Sequence, residues 1–290
     1  MQVLLESFIS AWQALVSDED RTTLIDALEA GKILYFYSLA FSFSDFEKKF
    51  LSPHWLDGSR KNISLQGDTV RGARGDESDL QQLATMMSRF AGQATQLVQT
   101  LFPQYGEQLR TARTSYRPAR VTHRKASWRK DDSRLHVDAF PSRPSHGERI
   151  LRVFTNVNPH GEARVWQAGE SFADAAQHFL PRIRKPLPGS AALMAALGIT
   201  KGKRSEYDHI MLHLHDEMKA DSEYQRCAQQ QRIEFPPGTT WVCFSDQVLH
   251  AALEGQYLLE HTVHVPVSAQ QHPECSPLHM LENLIGRQLT

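Results

Sequence analysis

From about Ser127 onward the chain is cut into short apolar runs by proline, glycine and asparagine: "RLHVDAF", "RILRVFTNVN", "ARVWQAG", "TTWVCFSD" and "QYLLEHTVHVPV". Runs of this length between turn residues predict short strands, and a succession of them predicts an antiparallel barrel or sandwich. No such strand buries its apolar face alone, so the strands must close around a shared core. One stretch breaks the pattern. Between about Phe172 and Arg232, "SEYDHIMLHLHDEMKADSEYQRCAQQQ" has helical spacing and few turn signals, which predicts a helical insertion.

The front third reads differently. "DEDRTTLIDALEAGKIL" has helical spacing, with Asp20 or Thr22 as the cap and Gly31 as the stop. A β-leaning aromatic start follows in "KILYFYSLAFSFSDFEKKF". Next comes a Gly/Asp loop, and then a long amphipathic helix capped near Ser78. The expected fold class is α+β, with a mainly helical part over residues 1–110 and a β core over 111–290. With 290 residues, 41% of them hydrophobic, one elaborated domain is expected.

The N-terminal "MQVLLESFISAWQALV" lacks the basic start and small-residue cleavage site of a signal peptide, and no apolar run reaches the roughly 18 residues of a spanning helix. A cytoplasmic location is therefore expected. Three cysteines, Cys227, Cys243 and Cys275, are odd in number and lack close metal-type spacing, so they read as free thiols. Net charge is −1, but from Arg110 to Arg134 the chain carries Arg113, Arg117, Arg120, Arg124, Lys125, Arg129 and Lys130 against only Asp131 and Asp132. That block is either a solvated face or the rim of a pocket for an anion.

It stops just before "LHVDAF". His136 and Asp138, two apart in an extended run, point to one face and can share a metal ion. A third ligand comes from "PPGTTWVCFSDQVLHAALEGQYLLEHTVHVP", read as turn, strand, short loop with His250, and closing strand. Two histidines and one carboxylate form the facial triad that leaves open positions on Fe(II); zinc takes the same ligands. Of the other histidines, His209, His213 and His215 lie in the helical insertion without the glutamate of a zincin motif and read as structural or solvent-facing. His261 and His264 lie beyond the proposed ligand, and at least one reads as a barrel-wall residue.

Strand pattern and triad together look like the Fe(II)/2-oxoglutarate-dependent oxygenases, whose core is a double-stranded β-helix of jelly-roll, cupin-like type. More closely, "SWRKDDSRLHVDAFPSRPSHGERILRVFTNVNPHGEARVWQAGESF" with "LEHTVHVP" resembles the Kdo hydroxylase family. Those enzymes hydroxylate C3 of 3-deoxy-D-manno-octulosonic acid (Kdo) on the lipopolysaccharide inner core. The likeness is strongest over residues 110–266.

The resemblance implies Fe(II) on His136, Asp138 and His250, with 2-oxoglutarate and O2 as co-substrates. Many oxygenases hold the far carboxylate of 2-oxoglutarate with a basic residue about ten positions beyond the last histidine, but here that position is Glu260, and no Arg or Lys occurs between His250 and Arg287. Other branches take the cation from the strand after the HxD motif. Period-two alternation in "RILRVFTNVN" puts Arg152, Phe154 and Asn156 on one face, which makes Arg152 the expected grip, with Asn156 and Thr262 as lesser contacts. The expected acceptor is an anionic, lipid-linked sugar of Kdo-lipid A type, met by Arg117, Arg120, Arg129 and Arg134, with Trp128 and Trp166 as ring-flanking candidates. Peripheral contact with an anionic membrane is expected from the basic block, and no nucleic-acid partner is. Two alternatives stand beside this reading: an oxygenase acting on another anionic small molecule or protein side chain, and a non-catalytic metal-retaining module.

Overall fold

The computed structural model of the protein describes residues 3–121 and 127–290, so Arg124 and Lys125 of the basic block lie outside the described residues. The first part contains β1 (Leu4–Ser7), α1 (Asp18–Glu29), β2 (Ile33–Phe36), β3 (Ile63–Gln66), β4 (Thr69–Arg71) and α2 (Glu77–Leu101). Then come β5 (Arg110–Arg117), β6 (Arg149–Asn156), β7 (Arg164–Ala168), α3 (Phe172–Phe179), α4 (Ser190–Ala196), α5 (Glu206–Ala220) and α6 (Ser222–Cys227). The chain closes with β8 (Gln231–Phe235), β9 (Thr240–Phe244), β10 (His250–Glu254), β11 (Leu258–Val265) and α7 (Pro277–Ile285).

Two sheets form. The larger has the order β1-β2-β9-β6-β11-β5-β3-β4, and the smaller β10-β7-β8. This mixed, largely antiparallel arrangement is the expected jelly-roll class. Strands from both ends of the chain share the larger sheet, so residues 1–110 add strands to it beside their two long helices. Four short strands come from there, too brief and too mixed in composition to stand out in the sequence.

Side-chain alternation sorts the layers. On β6, Leu151 and Val153 join Leu259 and Val263 of β11 in a core packed under α1 and α2, where α2 contributes Leu83, Met87, Phe90, Ala94, Leu97 and Leu101. The helix starts at Asp76, whose side chain accepts from the Asp79 N–H at 2.8 Å, rather than near Ser78. Likewise α1 is capped by Ser17, one turn earlier than Asp20 or Thr22, because the acidic residues Asp18, Glu19 and Asp20 suit the first turn itself. Outside the smaller sheet, Leu135, Val137, Leu249 and Ala251 pack against α3, α5 and α7. Between the sheets lies an aromatic core of Phe154, Trp166, Phe235 and Trp241, with Phe235 and Trp241 stacked at 4.0 Å.

The helical insertion spans α3 to α6, and β8 already begins at Gln231. "RLHVDAF" is not a strand of either sheet. It touches β10 through one isolated bridge, His136 to His250, in which each residue's N–H donates to the other's carbonyl at 3.1 and 2.9 Å. The apolar/polar alternation survives without a ladder, since Leu135 and Val137 face the helices.

His261 turns to the other side of the larger sheet, where Thr114 Oγ1 lies 2.8 Å from its Nδ1 and Thr95 Oγ1 of α2 lies 3.0 Å from its Nε2. Burial pulls its imidazole from 6.5 down to about 4. The unfolded chain therefore takes up this proton first, so the stabilisation is fully present above about pH 6.5 and is lost as the pH falls toward 4. His261→Gln should flatten the slope of unfolding free energy in that window by about 1.4 kcal/mol per pH unit, measured by urea melts. A slope equal to that of the parent protein would place the acid sensitivity elsewhere.

Candidate metal centre

The space between the two sheets is polar at one end. A cavity of about 120 Å³ is walled there by Arg152 and Phe154 of β6, Leu258 and Glu260 of β11, Arg164 and Trp166 of β7, and His250 and Ala252 of β10. His136, Asp138, Arg117 and Asp132 complete it. Each strand contributes the residues that alternate with its outward apolar ones, so the pocket is the inner face of the same pattern that builds the cores.

His136, Asp138 and His250 each offer one ligand atom, and these atoms all lie within 4.8 Å of one another. The set suits an ion on three counts. Both rings donate from Nδ1 to a backbone carbonyl, His136 to Arg134 at 2.7 Å and His250 to Val248 at 2.8 Å, which leaves each Nε2 as a free lone pair. Burial, with His250 alongside, holds His136 well below the ordinary histidine range, and burial lowers His250 as well, so both are neutral ligands. Asp138 resists its burial because Arg152 sits 3.0 Å from Oδ2 and keeps the carboxyl far below the usual carboxylate range. Yet Oδ2 is buried without a well-aligned hydrogen bond, an acceptor with capacity to spare. Trp166 stacks on His250 at 5.0 Å and 22° and fixes that ring.

Charge in the wall is tightly paired. Glu260 takes Arg117 through Nη2 at 2.9 Å and Nε at 3.1 Å, and Arg152 Nη1 lies 3.2 Å from its other oxygen. Burial opposes its ionisation, but the two guanidinium groups outweigh it and hold Glu260 below its ordinary value. Arg164 stands apart: it is buried, it makes no ion pair among the described residues, and its Nε has no partner. Burial pulls it down to about 9. Its backbone is locked in place by Gly255, at φ +110°, where a Cβ would come within 2.9 Å of the Arg164 Cα.

The arginine placements divide the sequence expectations. Arg152 and Arg117 are in the pocket, Arg152 between Asp138 and Glu260. Asn156 turns its amide to the carbonyls of Glu162 and Phe235, both at 2.9 Å, and does not line the cavity. Thr262 is buried opposite Arg152 in the β11–β6 register and does not line it either. Arg120 lies in an adjoining cavity with Lys61 and Lys130 and pairs with Glu162 at 2.6 Å. Arg129 lies over Trp128 and pairs with Asp216 at 2.8 Å, while Arg134 donates to the Lys219 carbonyl at 2.8 Å. Trp128 lines neither cavity, whereas Trp166 does line the metal pocket.

Sequence reading missed Arg164, although its spacing of two from Trp166 carried the signal. His215 of α5, read there as structural or solvent-facing, has its ring 5.4 Å from that of His136. His209 and His213 sit 4.3 Å apart, with His209 Nε2 2.8 Å from the Arg184 carbonyl, and belong to no three-ligand group among the described residues.

Comparison with known proteins decides the family. A model of the 3-deoxy-D-manno-oct-2-ulosonic acid (Kdo) hydroxylase family matches residues 11–288. The chain belongs to the Kdo hydroxylase family. It is similar to the crystal structure of the Kdo hydroxylase KdoO, a non-heme Fe(II) alphaketoglutarate-dependent dioxygenase, in complex with alphaketoglutarate and Fe(III). Identity is 45%, coverage is 99% of this chain and 97% of that one, and the TM-score is 0.95. The cobalt(II) complex of KdoO gives 46% identity over the same shares with a TM-score of 0.97, and its complex with succinate and Fe(III) gives 46% and 0.95. No curated protein matches the chain in sequence.

For this member of the Kdo hydroxylases, His136→Ala, Asp138→Ala and His250→Ala should each abolish stoichiometric Co(II) binding in calorimetric titration and leave the far-ultraviolet circular dichroism unchanged. Retained binding in two of the three would remove the ligand assignment.

Proposed function

We propose that this Fe(II)/2-oxoglutarate-dependent Kdo hydroxylase adds its oxygen at C3 of a Kdo unit on a lipid-linked acceptor of the lipopolysaccharide inner core. The observation that carries the reading is the charge inventory of the pocket. Its three arginines and three carboxylates cancel, so a divalent ion leaves it two charges positive and a dicarboxylate dianion restores neutrality.

The residues have separable tasks. His136, Asp138 and His250 hold Fe(II), which when bound supplies the redox chemistry by coupling O2 to the conversion of 2-oxoglutarate into succinate and carbon dioxide. Arg152 keeps Asp138 ionised and borders the co-substrate. Arg164 is the pocket guanidinium without an ion pair among the described residues, and like Arg152 it has an Nε without a partner, so it supplies the paired hydrogen bonds that the far carboxylate needs, with Arg117 and Arg152 as flanking positive charge. Glu260 stands where many oxygenases have a base; here it orients Arg117 and Arg152 toward one another across the floor. The adjoining cavity shares Arg117, Asp132, Arg164 and Ala252 with the metal pocket and adds Lys61, Arg120 and Lys130, which suits the carboxylate of the sugar.

Arg164→Ala should raise the KM for 2-oxoglutarate about tenfold or more, in line with ~1.5 to 3 kcal/mol for hydrogen bonds to a charged group, with Co(II) affinity unchanged. Arg152→Ala should raise the KM too and, by leaving Asp138 without its cation while Glu260 keeps Arg117, also weaken Co(II) binding. An unchanged KM in both variants would leave the far carboxylate to Arg117. Incubating the protein with Kdo-lipid A acceptor, Fe(II) and 2-oxoglutarate should give succinate and a mass gain of one oxygen atom on the sugar, with fragmentation placing it at C3. Succinate without any change of the sugar would point to a different acceptor.

A further inference from the structure

The stretch 175–205 contains no acidic residue, yet Arg182, Arg184, Lys185, Lys201, Lys203 and Arg204 give it six cations. Phe179, Leu180 and Ile183 pack into the outer core, but the large apolar side chains that stand out beyond them do not. Leu187, Leu193, Leu197 and Ile199 are 77%, 60%, 65% and 57% exposed. Leu193 and Leu197 stand one turn apart at the end of α4, joined by a helical N–H to carbonyl bond of 3.0 Å, so they share a face. Arg184, Lys185, Lys201 and Lys203 are exposed, and among the described residues none of them has a carboxylate partner. Arg182 and Arg204 are engaged instead, with Asp221 at 2.6 Å and with the Pro141 carbonyl.

This lobe is fastened to the active-site region. The Lys201 N–H donates to the Ser142 carbonyl at 2.9 Å. Ser142 follows the metal-ligand Asp138 by four residues, a reach of at most about 14 Å of extended chain. The lobe therefore rests on the loop that leaves the metal centre.

Leucines surrounded by uncompensated cations match a bilayer interface, which offers acyl chains and lipid phosphates side by side. A second copy of the chain would bring the same cations face to face and be repelled. We propose that the 180–204 lobe is a monotopic docking element that seats the protein on an anionic lipid surface, with Leu187, Leu193, Leu197 and Ile199 entering the interfacial layer. The proposal rests on the lipid-linked acceptor of the preceding section and names the surface that brings the pocket to it. It also relocates the membrane contact expected of the basic block, where Arg110, Arg117, Arg120 and Arg129 are each paired with a carboxylate.

Sedimentation of the full chain with vesicles of phosphatidylglycerol and phosphatidylethanolamine tests it. The parent protein should bind at low salt and be released only in part at high salt, because screening removes the cationic contribution and leaves that of the leucines. Leu193→Glu together with Leu197→Glu should abolish binding, and Lys201→Glu with Lys203→Glu should lower the partition coefficient about tenfold or more, given the roughly 1 kcal/mol that each basic side chain contributes near such a surface. Phe46→Ser, at a side chain 83% exposed outside the lobe, should have no effect. Leu193→Trp should show a blue-shifted emission on adding vesicles. Vesicle binding by the Leu193→Glu, Leu197→Glu protein equal to that of the parent would overturn the proposal, as would parent protein that stays in the supernatant at every salt concentration. A dimer in sedimentation velocity that this variant splits, with no vesicle binding by the parent, would make the lobe a contact between copies and overturn it too. Turnover of a delipidated Kdo oligosaccharide should be the same in parent and lobe variants. Its failure in the parent would count against the acceptor reading and not against the lobe, which the vesicle measurements judge separately.

Discussion

The run of alternating buried charges Asp138, Arg152, Glu260 and Arg117 is the interaction on which the site depends. Removing a single member leaves an unpaired charge in a dry interior, which typically costs about 3 to 5 kcal/mol. The run also fixes geometry, because Arg152, Glu260 and Arg117 come from three neighbouring strands of the larger sheet, β6, β11 and β5. In the register, Glu260 stands opposite Phe154 on one side and Ser115 on the other. A slip of one residue would turn Glu260 into the core under α2 and bring Leu259 into the pocket. The candidate metal group, the charged pocket wall and the strand register are thus one specification.

That specification was partly legible in the sequence. Alternation in "RILRVFTNVN" assigned Arg152 and Phe154 to one face and Val153 to the other, as the cavity and the outer core now show. The HxD spacing worked although no strand forms there, because Leu135 and Val137 are drawn to the helices and leave His136 and Asp138 on the opposite side. Local pattern carries that much. It did not reveal β5, since "RTARTSYR" reads as a charged block; the strand exists because β11 and β3 pair with its two edges. Nor did it reveal that Arg117 would spend its charge on Glu260, 143 positions away. His215 lay beyond reach for the same reason: helical spacing says which face a side chain takes, but the neighbour of that face is set by how α5 packs.

The outer part of the molecule follows opposite rules from the inner one. Inside, among the described residues, each buried cation except Arg164 has an anion within reach, and the buried apolar side chains pack into three clusters. Over 180–204 both leucines and cations are left open to solvent, in short elements with little packing beneath them. Precision is kept where bonds are made and broken, and adaptability where a soft, variable surface is met.

The lone bridge between His136 and His250 has an entropic consequence. An ion joining these two residues in an unfolded chain would have to close a loop of more than a hundred residues, at a cost that grows with (3/2)RT ln n. Here two reciprocal backbone bonds close that loop within the fold itself, and Leu135 and Leu249 of the outer core hold it closed. The binding energy of the ion is then available to ligation rather than to ordering the chain.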